Sequence, residues 1–231
     1  MGIRERQERD REAVRRSILD AARELFVTEG YSNVSIRKIA ERIEYSPAAI
    51  YGYFPCKDDI FFDLAEEGFR LLHPGDDLTG ASHLEPLERI RTIFHRLYAF
   101  SRQHPQYFAL MFLDRSVPRI SREYERFAFA RNLRDEILRR IQEGIDAGCL
   151  PGKTIPAVAF RLLTMSLVGL ASLQLSDRLV PGENPDDLAS DIFDVVIAGL
   201  QSGVNLRSTG WDRTEGAEWC VDQPKDKAKV S

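Results

Sequence analysis

SIRKIAERIEYSPAAIYGYFPCK, residues 35–57, decides the fold. Its apolar residues fall at helical steps in two short sets. Ile36, Ile39, Ala40 and Ile43 form the inner face of one helix, and Ser35 stands where a capping hydroxyl is needed. Ser46 followed by Pro47 starts a second helix: a hydroxyl cap, then a proline at a position whose N–H would lack a helical partner anyway. This helix carries Ile50, Tyr51, Tyr53 and Phe54, and Pro55 stops it. The connection, Glu44-Tyr45-Ser46, is tight. Two short helices joined this way read as a helix-turn-helix, in which the second helix enters the DNA major groove and the first crosses the backbone. Ala48, Ala49 and Gly52 are small enough for close approach to base edges, and an alanine methyl can meet a thymine methyl.

Working outward, the helical period continues in both directions. Val14, Ile18, Ala21, Ala22, Leu25 and Phe26 form one stripe on a preceding helix that Gly30 ends. A fourth helix starts near Cys56, where Asp58 and Asp59 suit the positive dipole end. Ser82-x-x-Glu85 reads as a capping box opening a fifth helix. Residues 107–113 predict a short, apolar sixth helix, and 119–147 a long seventh ended by Gly148. Thr154 and Pro156 open an eighth, running to about Leu175. Asn184 caps a ninth, whose inner face holds Phe193, Val196 and Leu200. The period dies after Arg207. No β alternation is evident. The expected fold class is therefore all-α with about nine helices: an N-terminal arm and helix-turn-helix domain over 1–57, a larger helical ligand-binding and dimerisation domain over 58–206, and a disordered tail over 207–231, where Trp211 and Trp219 can dock locally.

Composition narrows the function. The formal charge of the 231 residues is −4, so DNA binding requires a local basic surface rather than a basic chain. Cys56, Cys149 and Cys220 are far apart and form neither a disulfide framework nor a zinc pattern, which fits a reducing cytoplasm. The charged N-terminus has no apolar core of a signal peptide. Residues 155–175 are apolar but interrupted by Arg161, and read as a buried helix rather than a membrane span, so no membrane partner is expected. There is no HExxH, no GxSxG and no Gly-rich phosphate loop, so an enzyme reading has no motif to rest on. Neither cofactor nor metal is expected. Arg4, Arg6, Arg9, Arg11, Arg15 and Arg16 alternate with acidic residues, which leaves two readings of the arm: one that reaches phosphates, and a solvated helix laced with ion pairs.

The run ILDAARELFVTEG (18–30), followed by Tyr31, Ile36, Ile39-Ala40, Ser46, Ile50-Tyr51, Tyr53-Phe54 and Lys57, resembles the N-terminal domain of the TetR family of transcriptional regulators. The resemblance implies that Ser35, Arg37, Ser46, Pro47, Ala48, Tyr51, Gly52, Tyr53 and Lys57 hold the DNA-facing positions. It further implies a homodimeric repressor on double-stranded operator DNA, released by a small-molecule effector. The chain departs from the family pattern at Glu44, where the turn usually has glycine, at Cys56, where a serine or threonine cap is usual, and at Pro47, often basic or polar. Glu44 is expected to take the turn's left-handed conformation and to point away from phosphate.

The second half matches the family's regulatory domain in helix order, with a moderately similar phrase at HPQYFALMF (104–112). Its dense aromatic and sulfur residues suggest an apolar effector pocket built from Phe69, His73, Phe94, Tyr98, Tyr107, Phe108, Met111, Tyr124, Phe127 and Met165, against the plainer reading that these are core. The eighth and ninth helices are the dimer candidates through Val158, Leu162, Met165, Gly169, Phe193, Val196 and Leu200, with small residues allowing close helix approach. A ligand-independent dimeric DNA-binding protein controlled by a protein partner is the alternative.

Overall fold

The computed structural model describes residues 2–72, 84–118, 127–204 and 206. Helices account for most of the described residues. α1 (Ile3–Glu29), α2 (Ile36–Arg42), α3 (Pro47–Tyr51) and α4 (Lys57–Leu72) form the N-terminal part. α5 (Pro86–Gln103), α6 (Pro105–Phe108), α7 (Ala128–Asp146), α8 (Pro156–Leu175) and α9 (Pro185–Gln201) form the rest. The all-helical architecture expected from the periodicity is the one observed. Most starts follow local chemistry: proline occupies the first turn of α3, α5, α6, α8 and α9, and Asn184 accepts from the Asp186 N–H to cap α9.

Two hydrophobic clusters organise the packing. The first gathers Ile18, Ala22 and Phe26 of α1, Ile39 of α2, Ile50 of α3 and Ile60, Phe61 and Leu64 of α4. It extends to Phe100, Tyr107, Phe108 and Phe127. The second gathers Ile90 and Phe94 of α5, Ile141 of α7, Leu163, Leu167 and Leu170 of α8, and Phe193 and Ile197 of α9. Leu97 of α5 packs against both. The helix-turn-helix is thus bolted onto the second helical body through α4 and α6.

α1 starts well ahead of its apolar stripe. From Arg4 to Ala13 every residue is exposed, and the Gly2 N–H donates to Glu5 at 2.9 Å to close its first turn. Arg15 and Arg16 point to α4 instead of outward: Arg15 pairs with Asp63, and Arg16 bonds Glu67 at 2.7 Å and Asp20 at 2.6 Å. Asp20 is held below the usual carboxylate range, chiefly by its bond from Arg16. These two arginines tie helices together.

Several expectations change. Glu85 itself occupies the N-cap position of α5, with Pro86 following, so the fifth helix opens without the reciprocal box; Ser82 lies outside the described residues. The sixth helix is two pieces: after α6, residues Ala109–Leu113 widen into a π turn, closed by the Asp114 N–H donating to the Ala109 carbonyl at 3.0 Å. α7 is described from Ala128, with 119–126 outside the described residues. α8, expected to be buried, is buried over 33% of its most apolar window, although by length and composition it could cross a membrane. Its inner face packs on α5, α7 and α9. The rest is uncovered in a single chain: Met165 is 65% exposed and Leu173 45%. The predicted tail, with Trp211 and Trp219, lies outside the described residues.

Candidate nucleic-acid interface and internal cavity

The helix-turn-helix is assembled as its sequence demands. Ser35 caps α2 by accepting from the Lys38 N–H at 3.3 Å, and Ser46 caps α3 by accepting from the Ala49 N–H at 3.2 Å. Between them Glu44 sits at φ 60, the left-handed conformation that lets the chain reverse. The Tyr45 N–H then reaches back to the Ala40 carbonyl at 2.9 Å. A non-glycine residue there carries a steric cost, and its carboxylate is exposed.

α3 ends at Tyr51, short of the expected run to Phe54, and the segment from Ser46 to Phe54 presents two contrasting faces. Ile50 (0% exposed) and, past the helix, Phe54 (2%) are sunk in the core. Ser46, Pro47, Ala48, Tyr51 and Gly52 are exposed, Tyr51 by 55%. Tyr53 is half-buried, its ring 5.6 Å from the Arg11 guanidinium. Arg37 stands free of the core with its side chain 80% exposed, held loosely by Glu41 at 2.8 Å. Ser35 is also at the surface, its hydroxyl engaged in the cap. Sequence reasoning missed Tyr45, which is 45% exposed in the turn beside this face. Asp59, placed by the sequence at the positive dipole end of α4, has a more specific role: its carboxylate accepts from the Cys56 N–H at 3.1 Å.

Lys57, one of the DNA-facing positions that the resemblance implies, turns its side chain inward. In the structure Nζ donates to the carbonyls of Tyr31 at 2.7 Å and Val34 at 3.0 Å, and lies 4.1 Å from the centroid of the Tyr31 ring. Those carbonyls belong to the turn between α1 and α2, where the Tyr31 carbonyl also accepts from the Val34 N–H at 3.4 Å, and the cation bonds both at once. Burial pushes its pKa down, against the pull of Asp58 and Asp114. Lys57 therefore fastens the start of α4 to the segment leading into α2.

In the second body a cavity of ≈ 90 Å³ lies among α4, α5, α7 and α8. Its walls are almost wholly apolar, with Phe69, Phe94, Leu97, Phe112, Ile137 and Phe160 prominent; Arg96, Arg134 and Thr164 supply polar atoms. The Thr164 hydroxyl is buried without a hydrogen-bond partner, an arrangement that costs free energy until something pairs with it. Of the residues predicted for a pocket, Phe69 and Phe94 are in the wall. Phe108 and Phe127 are core packing of the first cluster. Tyr107 is also in that core, its hydroxyl accepting from Arg23 at 2.8 Å. Met111 packs against the same cluster beside Gly68, and the Tyr98 hydroxyl donates to Asp186 at 2.8 Å on the far side of α5. Met165 points to solvent. His73 and Tyr124 lie outside the described residues. The wall residues on α7 and α8 escaped the sequence reading because their aliphatic spacing looks like any core stripe.

The dimer candidates divide as well. Phe193, Leu200 and Val158 are buried within the chain itself, at 1%, 7% and 8% exposure. They cannot also be the outer face. Met165 and Gly169 are exposed and Leu162 and Val196 half-buried. Val195, not singled out in the sequence, is 70% exposed.

A reading head with one buried and one open face, carried on a second helical body, defines a helix-turn-helix transcriptional regulator. The family model for bacterial regulatory proteins of the tetR family matches residues 18–64, and that for the tetracyclin repressor-like C-terminal domain matches residues 90–200. The chain belongs to the TetR family. Among its relatives is the nucleoid occlusion factor SlmA of Vibrio campbellii, 33% identical over 165 residues that make up 67% of this chain and 78% of that protein. The HTH-type transcriptional repressor Rv1474c of Mycobacterium tuberculosis is 44% identical over 55 residues, 24% of this chain and 29% of that protein. The fold is shared with the fatty acid degradation regulator FadR of Bacillus halodurans (TM-score 0.63, 16% identity, 80% of this chain and 95% of that one). It is shared equally with FadR of Bacillus subtilis in complex with stearoyl-CoA (TM-score 0.62, 17% identity, 82% and 98%).

Replacing Lys57 by Met should lower stability by about 1–3 kcal/mol, because the Tyr31 and Val34 carbonyls lose the bond from the cation, and should leave the salt dependence of DNA binding unchanged. Tyr51→Ala should do the reverse, weakening operator binding with the melting temperature intact. Chemical denaturation and a salt series of binding isotherms check both; a shallower salt slope in the Lys57 variant would return that residue to phosphate.

Proposed function

We propose that this regulator is a homodimeric repressor that leaves its operator when a small apolar or amphipathic molecule enters the cavity among α4, α5, α7 and α8. The observation that carries the reading is the mostly apolar cavity itself, with Phe69, Phe94, Phe112 and Phe160 in its wall, beside Thr164, whose buried hydroxyl has no partner. A ligand with an apolar body fills such a gap, and a wall displaced by it lets a polar atom reach the Thr164 hydroxyl. The DNA-facing set is Ser35, Arg37, Ser46, Pro47, Ala48, Tyr51, Gly52 and Tyr53, with Lys57 taken out for the reason given above. The protein acts on double-stranded DNA in the cytoplasm, with residues 1–57 as the arm and reading domain and 58–206 as the regulatory domain.

Size makes the release mechanical. At ≈ 90 Å³ the cavity is well below the ~300 Å³ at which drug-sized pockets begin. A ligand with more than a few carbon atoms has to push the walls apart, and α4, which follows the reading head in sequence, is one of them. The ligand then binds the displaced state better than the DNA-competent one, which is what coupling requires. Arg96 and Arg134 in the lining suit a ligand whose polar end is anionic. That a Bacillus subtilis regulator of the same fold is in complex with stearoyl-CoA supports a ligand with an apolar chain.

Homodimerisation is supported by the uncovered apolar faces of α8 and α9, with Met165, Leu173 and Val195 exposed and open space beside Gly169. Two such faces brought together would make a four-helix bundle on a two-fold axis, and a pair of reading heads would address two half-sites. A second reading is a ligand-independent DNA-binding protein under the control of a protein partner; it is kept because one relative is named a nucleoid occlusion factor rather than a repressor.

Two outcomes are expected. Val195→Glu should convert the dimer to monomer in analytical ultracentrifugation and abolish tight operator binding; a dimer that survives would move the interface elsewhere. With 1-hexanol as probe, the melting temperature should rise by roughly 3 °C at about ten times its Kd, and operator affinity should fall. Thr164→Leu, which fills the cavity, should remove both effects. No stabilisation by hexanol, in free acid, alcohol or aromatic analogues alike, would favour the partner-controlled reading.

A further inference from the structure

The regulatory body touches the reading domain at a place distinct from the α4 wall of the cavity. The π turn Ala109–Leu113 follows α6, and its Phe112 ring is part of the cavity wall, packed 6.3 Å from Phe69 and 4.9 Å from Phe108 between centroids. One residue earlier, Met111 is pressed on Gly68 of α4 so closely that a Cβ there would stand 2.4 Å from its sulfur. The turn therefore has no slack on the α4 side. Its end is Asp114, and that carboxylate crosses to the other domain. Oδ2 accepts from the Tyr31 N–H at 3.0 Å. Oδ1 accepts from the Ser116 N–H at 2.8 Å and from the Ser116 hydroxyl at 2.6 Å, while the Ser116 oxygen accepts from the Ser32 N–H at 3.2 Å.

Tyr31 and Ser32 form the turn between α1 and α2. Their N–H groups follow the end of α1, and the regulatory domain supplies their acceptors. The same turn offers the Tyr31 carbonyl to Lys57, and the Tyr31 hydroxyl bonds Asp58. The chain then passes from Val34 to Ser35, the cap of the first helix of the reading head. Burial pushes the Asp114 carboxyl up, yet Ser116, the Tyr31 amide and the Lys57 cation together hold it below the usual range, so it is an anion at neutral pH. π turns carry one residue more than the helix they interrupt and are a natural place for a one-residue shift.

We propose that Asp114 is a positioning residue for DNA recognition: supplied by the regulatory domain, it fixes the Tyr31–Ser32 turn, and through Phe112 it makes the seating of the helix-turn-helix depend on the cavity wall. Its use in effector release rests on the cavity reading above. A wall pushed outward at Phe112 moves the end of the π turn, and the Tyr31 and Ser32 amides lose their acceptors or follow them. Either response reseats α2 relative to α4.

The test is a double-mutant cycle on the full-length dimer, reading operator Kd by fluorescence anisotropy and exchange of the Tyr31 and Ser32 amides by mass spectrometry. The variants are Asp114→Ala, Phe112→Leu and both together. Asp114→Ala should weaken operator binding about tenfold and speed exchange at those amides. Phe112→Leu should add little on the Asp114→Ala background, because the link it acts through is already cut. Asp114→Asn, which keeps an acceptor for the Tyr31 amide, should recover most of the affinity. Hexanol should weaken operator binding in the wild type and not in Asp114→Ala. Should Asp114→Ala fail to fold, Ser116→Ala, which removes the Ser32 contact, carries the same cycle. Independent, multiplying effects of the two substitutions, unchanged operator affinity in a folded Asp114→Ala dimer, or equal release of wild type and variant by hexanol would each overturn the proposal. A coupled cycle upholds it even where hexanol does nothing to the wild type, a result that counts against the cavity reading alone.

Discussion

A helix as short as α3, Pro47–Tyr51, closes too few hydrogen bonds to repay the cost of nucleating it, so it cannot stand without tertiary support. Everything that reads DNA in this protein therefore depends on the burial of Ile50 and Phe54 against α1, α2 and α4. Those two side chains hold the helix by one face and leave the other to the groove. The left-handed Glu44 and the Ser46 hydroxyl set its entry angle. The Lys57 ammonium, tied to two carbonyls of the α1–α2 turn, prevents the platform from loosening. Short recognition helices trade intrinsic stability for access, and the surrounding packing supplies what they lack.

That platform continues into the regulatory body. Arg15 and Arg16 clamp α1 to α4, Arg23 reaches Tyr107 of α6, and Asp114 grips the turn between α1 and α2. Polar links of this kind are directional, and the close-packed apolar contacts around them transmit a displacement rather than absorb it. A change in the cavity wall therefore has defined handles on the reading domain. On the proposed reading the cavity's small volume matters for the same reason: a close-packed wall with a residual gap would have two arrangements, filled and unfilled, between which a ligand would select.

The elements were legible from the sequence because their signals are local. Ser35, Ser46-Pro47 and Asn184 cap the helices they were expected to cap, and Glu44 takes the conformation its position in the turn demands. Directions of long side chains were not legible. Lys57 has the charge for phosphate, but its four-carbon stem reaches inward, a choice settled by carbonyls remote in sequence. Phe193 and Leu200 have the spacing of an interface stripe and the burial of a core stripe, since both faces of α9 are apolar and period alone cannot rank them. The cavity was half-hidden for a related reason. Aromatic residues drew attention to Tyr107, Phe108 and Phe127, which fill the first core, as readily as to Phe69 and Phe94, which line the gap beside aliphatic residues such as Leu133 and Ile137. A void is a property of how residues fail to meet, and sequence spacing does not encode it.

The central claim is that the exposed face of α3 reads a particular DNA sequence. The most direct measurement is anisotropy of the purified protein on a duplex from its own upstream promoter beside a scrambled duplex of equal length, across a salt series. The account predicts binding that weakens with salt and prefers the promoter by about a thousandfold or more. Equal affinity for both duplexes at every salt concentration would contradict it.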